Sequence, residues 1–128
     1  MDTRTRLGLL LAFSVALSAR PAAAQAPAGV TPALITQGDS IFHGKGNCYA
    51  CHGANAEGTV GPNLTDAEWL HSDGSYEAIV KQVTTGVPKE QSKSGIVMPP
   101  RGGSTITDDE VKAVAAYVYS LSHKKPGA

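Results

Sequence analysis

Two cysteines stand three residues apart and a histidine follows directly: Cys48-Tyr49-Ala50-Cys51-His52. The C-x-x-C-H order is that of covalent c-type haem attachment. Two thiols at this spacing can add to the two vinyl groups along one edge of a porphyrin. The adjoining imidazole can then reach the iron from one face, so the ring and its ligand are anchored by one pentapeptide. Other uses of a cysteine pair compete with this one. A thioredoxin-like redox pair belongs in a βαβ setting, and strand signals are poor along the whole chain. A structural zinc site needs four ligands, and beyond this string only His43 and His71 are spare candidates. A plain disulfide remains open, because exported thiols tend to oxidise.

Export is expected from the N-terminus. Arg4 and Arg6 precede the apolar run 7–19, and Arg20, Pro21 and Ala22-Ala23-Ala24 follow. This is the charged, apolar, small-residue order of a secretory signal peptide, with cleavage after Ala24. The run falls short of the roughly 20 residues that a transmembrane helix needs, although an uncleaved anchor is the alternative. The chain therefore divides into a signal peptide (1–24), a disordered leader (25–34), one domain (35–123) and a short tail (124–128). Of the 128 residues, 41 % are hydrophobic but only 5 % aromatic, so a large flat cofactor would supply bulk the core lacks. Eleven basic and eleven acidic side chains give no basic surplus for binding nucleic acid.

The elements that must position the motif read as helices. Thr36 caps a first helix that runs to about Lys45 and ends near Gly46. Thr65-Asp66-Ala67-Glu68 is a capping box opening a short helical turn through Trp69 and Leu70. Ser75 starts a third helix with Tyr76, Ile79, Val80 and Val83 on its apolar side, closed by Gly86. Thr107-Asp108-Asp109-Glu110 is a second capping box, followed by a stripe of Val111, Val114, Ala115, Val118 and Leu121. Between these last two helices lies a long loop, 87–106, rich in Gly, Pro, Ser and Lys and containing Met98. The fold class is all-α, with loops wrapped around something.

Several short strings then occur in a telling order: Gly38-x-x-x-Phe42, Cys48-x-x-Cys51-His52-Gly53, Gly61-Pro62-Asn63-Leu64, Met98-Pro99-Pro100, and a last helix containing Tyr117. Over residues 36–122 the chain resembles a class I cytochrome c. The stretch from Gly61 to His71 and the ending Val114 to Leu121 are similar to haem domains in the third subunit of cbb-type cytochrome oxidases. Those subunits carry two haems and a membrane helix, and this chain, with one haem motif, resembles one such domain. The resemblance implies an all-α cytochrome c fold whose N- and C-terminal helices cross near Gly38, Phe42 and Tyr117. It implies one covalent haem c, with His52 and Met98 as ligands of the iron. Met98 is the sole methionine besides Met1, and its thioether would raise the reduction potential relative to two nitrogen donors.

The resemblance further implies that the Pro62 carbonyl accepts the Nδ1–H of His52, a contact that orients a ligand ring. Lys89 and Lys93 are possible replacement ligands, and Trp69 either donates to a haem propionate or packs in the core. The expected role is a periplasmic single-electron carrier, not itself an enzyme, serving a respiratory oxidase or dehydrogenase. Its partners would be redox proteins, with no nucleic acid and no stable membrane span after cleavage. A haem enzyme or ligand sensor with an open iron site is the alternative. Around the haem edge Lys45, Lys81, Lys89, Lys93 and Arg101 would form a basic face, with Asp108, Asp109 and Glu110 held away from it.

Overall fold

The first helix begins on Thr31 rather than Thr36. Thr31 is extended (φ −107°, ψ 155°), and its hydroxyl accepts the N–H of Leu34 at 3.2 Å. Pro32 fills the first helical position, where its missing N–H is of no consequence. In this computed structural model, which describes residues 26–124, helix α1 is therefore Pro32–His43. Thr36 lies one turn inside, where its hydroxyl donates to the Pro32 carbonyl at 3.1 Å. The end of the expected leader thus belongs to the first helical turn. The expected signal peptide and residues 125–128 lie outside the described residues.

Three further α-helices follow among the described residues: α2 (Tyr49–His52), α3 (Tyr76–Thr85) and α4 (Asp108–Ser122). Short 3-10 turns occupy Lys89–Gln91 and Pro100–Gly103, and the described residues hold no strand beyond one isolated bridge. The starts of α3 and α4 follow their local signals. The Ser75 hydroxyl accepts the N–H of Ala78 at 3.3 Å. At α4 the capping box closes both ways, with Thr107 N–H donating to Glu110 Oε2 at 2.9 Å and Glu110 N–H donating to Thr107 Oγ1 at 3.4 Å.

The other capping box opens no helix. Asn63 Oδ1 accepts both the N–H and the hydroxyl of Thr65, at 2.8 and 2.7 Å, and Asp66 Oδ1 accepts the N–H of Glu68 at 3.0 Å. Short polar side chains here take the N–H groups that a first helical turn would have left for a cap. The segment becomes consecutive turns, and Trp69 packs half-buried against the core.

Helices α1 and α4 cross at Gly38. A Cβ placed there would lie 1.9 Å from the Ala113 carbonyl oxygen and 2.8 Å from Tyr117 Cβ. Beside the crossing, Phe42 is fully buried and meets Tyr117 edge to face at 5.3 Å. The α4 stripe Val111, Val114, Ala115, Val118 and Leu121 is buried along its length, and α3 adds Ile79 and Val83 from the side. The Gly38 contact is backbone against backbone, so no side-chain rotation can relieve it. Gly38→Ala is expected to lose about 3 kcal/mol, the upper part of the overpacking range, and to melt on the order of 10–20 °C lower. Thermal unfolding followed by circular dichroism checks this. An unchanged midpoint would place the crossing elsewhere.

Candidate functional site

The chain turns sharply after α1. Gly46 N–H returns to the Ile41 carbonyl at 2.9 Å and Cys48 N–H to the Phe42 carbonyl at 3.1 Å. This ties the single turn α2 to the last turn of α1, beside Phe42. Residues i and i+3 share a helix face, so Cys48 and Cys51 stand on one side of it. The two are not bridged to each other; Cys48 is half-buried and Cys51 exposed. Burial pushes the Cys48 thiol up to about 11.

His52 ends α2 and is buried. Its Nδ1 lies 2.9 Å from the Pro62 carbonyl oxygen. A carbonyl can only accept, so Nδ1 carries the proton and the neutral ring keeps its lone pair on Nε2. Burial pushes the His52 pKa down and outweighs the bond to Pro62, which raises it. The loop that brings Pro62 back is tied to α2: Gly61 N–H and Thr59 Oγ1 both donate to the Cys51 carbonyl, at 2.8 and 2.7 Å. A Cβ on Gly61 would stand 3.0 Å from Cε1 and 3.1 Å from Nδ1 of the imidazole. Glycine there lets the loop close on the ring.

Met98 reaches the same place from the other direction. The 87–106 segment is not the structureless loop its composition suggests. Val87 and Met98 form an antiparallel bridge, with Val87 N–H to Met98 O at 2.7 Å and Met98 N–H to Val87 O at 3.0 Å. Gly86, which ends α3 at φ +67°, makes room for it: a Cβ there would fall 2.2 Å from the Met98 carbonyl oxygen. Beyond Met98, the Arg101 guanidinium donates to the Ile106 carbonyl at 2.8 Å and pairs with Asp108, tying the segment to the start of α4.

Between these two sides run adjoining clefts of about 760 and 470 Å³. Cys48, His52, Gln82, Met98 and Gly102 border both, so they are halves of one slot. The smaller half has apolar walls from Leu64, Ile79, Val83, Val114 and Val118. Paired thiols, a neutral imidazole, a thioether and apolar walls are the donor set and shape that a flat iron macrocycle requires. A structural zinc site needs four such donors, and among the described residues no three His, Cys, Asp or Glu side chains gather to hold a metal ion.

The remaining histidines serve the backbone. His43 has Nε2 2.7 Å from the Ala54 carbonyl and Nδ1 3.0 Å from that of Asp39. These bonds, Ala54 first, raise its pKa. His71 Nε2 accepts the N–H of Lys93 at 2.9 Å. The expected basic face is smaller than the residue count suggests. Lys45 pairs with Glu110 and Arg101 with Asp108, so acids at the start of α4 fold back onto two of the five cations. Lys81, Lys89 and Lys93 stay outside the ion pairs among the described residues. In the sequence Gly61 and Gly86 read only as a motif member and as a helix end, and the slot-shaping residue that escaped sequence reasoning is Gln82. It had a signal, being a polar residue one turn after Ile79 and beside Val83 on an apolar helix face.

A crossing of terminal helices through a glycine, with loops closing a thiol-edged slot over it, is the frame of a class I cytochrome c, which holds haem c and its iron. The same frame occurs in cytochrome cL from Methylophaga aminisulfidivorans MPT, at a TM-score of 0.58 and 25 % identity, covering 73 % of this chain and 57 % of that one. Cytochrome cL from Hyphomicrobium denitrificans, at 21 % identity and a TM-score of 0.58, shares the fold over 73 % of this chain and 52 % of its own. The chain belongs to the family described as cytochrome C oxidase, cbb3-type, subunit III, whose model matches residues 33–118. It is 40 % identical over 92 residues to the cbb3-type cytochrome c oxidase subunit CcoP of Rubrivivax gelatinosus, covering 71 % of this chain and 27 % of that subunit. It is 42 % identical over 103 residues to subunit FixP of Rhizobium meliloti (strain 1021), covering 76 % and 30 % respectively. The chain thus spans less than a third of the length of these two relatives.

Proposed function

We propose that the chain is an exported, periplasmic single-electron carrier that serves a respiratory oxidase or dehydrogenase through transient contact with redox proteins. In this reading Cys48 and Cys51 hold haem c through thioethers, while His52 and Met98 ligate the iron. The observation that carries it is the pairing of a buried, neutral His52, its Nδ1 proton committed to Pro62, with Met98 across one slot.

When bound, haem c supplies a one-electron couple. The protein residues do the rest. Pro62 fixes the plane and tautomer of His52 and strengthens it as a ligand. The apolar walls keep water from the iron side, and the soft Met98 thioether favours the reduced state. At the rim, Ile96 and Val97 border the slot and are 45 and 54 % exposed. A small apolar rim with lysines nearby suits the brief, limited contacts of electron-transfer partners. No helix among the described residues is long and apolar enough to cross a membrane.

The test is a redox-titrated visible spectrum of protein made in a host with a haem-attachment system, together with its intact mass. The expected result is one haem's added mass and a reversible one-electron titration of a low-spin spectrum. A mass without haem would remove the proposal.

A further inference from the structure

Among the described residues one buried side-chain polar atom lacks a hydrogen-bond partner, and it is Oε1 of Gln82. Gln82 lies on the α3 face that packs into the slot, one turn after Ile79. It borders both halves of the slot and also a third, more polar groove that opens beyond them. That groove is bordered by Trp69, His71, Lys81 and Lys93, with Asp73 as its only carboxylate. Neither cysteine borders it.

An amide atom left unpaired in such a place costs roughly 1–3 kcal/mol. The amide oxygen and nitrogen exchange places by a half-turn of the terminal torsion, so the same position can present an N–H donor. What it would meet is set by the chemistry of the cofactor. The strong hydrogen-bonding groups of haem c at its periphery are two propionate carboxylates, carried away from the thioether links. A donor amide at the mouth of a groove with two lysines and a histidine matches a carboxylate.

Resting on the haem-carrier reading, we propose that Gln82 is a positioning residue whose side-chain amide donates to a haem propionate where the slot meets the Lys81–Lys93 groove. A propionate charge favours ferric iron. An N–H donor spreads that charge, so Gln82 raises the reduction potential and holds the propionate ionised.

The experiment uses the haem-loaded chain carrying Gln82→Leu or Gln82→Glu, with the midpoint potential measured across pH beside the wild type. Gln82→Leu is expected to lower the equilibrium constant for reduction about tenfold, as loss of one hydrogen bond to a charged group would. It also moves the pH-dependent step of the potential to higher pH and leaves the methionine-to-iron absorption band in place. Gln82→Glu, of nearly equal size, covers the case in which the leucine variant takes up no haem, and its carboxylate lowers the constant further. Potentials and pH profiles equal to the wild type in both variants overturn the proposal. So does loss of the methionine band with an unmoved pH profile, which would assign the amide to Met98. Absence of haem from the wild type itself would instead strike the carrier reading.

Discussion

Replacing both Cys48 and Cys51 with alanine is expected to leave the protein, made in a host with a haem-attachment system, without any haem that survives acid–acetone extraction, and with little folded protein at all. The two thiols share one side of the single turn α2, which is tied to the last turn of α1 through backbone bonds from Gly46 and Cys48. Attachment there fixes the macrocycle against the apolar walls of the slot. Without it, Ile79, Val83, Val114 and Val118 lose the surface they were shaped to cover. At about 1.5–3 kcal/mol for each fully covered aliphatic side chain, even partial loss is on the order of 5 kcal/mol. That is comparable with the whole stability of a small domain. Intact mass and extraction measure the outcome directly. A double variant that still carries acid-stable haem would show that the cysteines do not hold it.

Met98→Ala is expected to open the iron while leaving the course of the chain unchanged. Met98 is held by backbone, through two hydrogen bonds to Val87 and the close passage over Gly86, so truncation removes the thioether and little else. The reduction potential should fall by on the order of 0.2 V, a fraction of the roughly 0.8 V that axial ligands span. Carbon monoxide, which the closed-carrier reading excludes from the wild type at pH 7, should bind the variant rapidly. Flash photolysis and potentiometry on the two proteins give both numbers. If the wild type binds carbon monoxide as fast as the variant, the closed-carrier reading gives way to a sensor or an enzyme with an open iron site.

Much of this molecule follows from short-range signals. The attachment string is contiguous, so its chemistry is legible without a fold. The start of α4 is equally local, since Thr107 and Glu110 satisfy each other's N–H groups within one turn. The five-residue stripe that follows names the buried face of α4 before any partner is known. Local signals fail where another local group competes for the same donor. Asn63 and Asp66 took the N–H groups that made Thr65-to-Glu68 look like a helix start, and Thr31-Pro32 offered an earlier start than Thr36.

The tertiary structure decided what depends on chain segments meeting from far apart. It paired Val87 with Met98 across the strap between them, and it brought the acids at the head of α4 onto Lys45 and Arg101. It also left a glutamine oxygen without a partner at the edge of the slot. Such contacts have no period or spacing to betray them, because they exist only once loop closure has brought distant backbone together. By itself, then, the sequence determined which residues could hold haem and which helices would frame it, as both are written within a turn or two of chain. Only the fold decided how the Pro62 loop is tied to α2, how the Met98 strap is pinned, which charges remain free, and what faces Gln82, since each is a contact between segments that meet only when the core has formed.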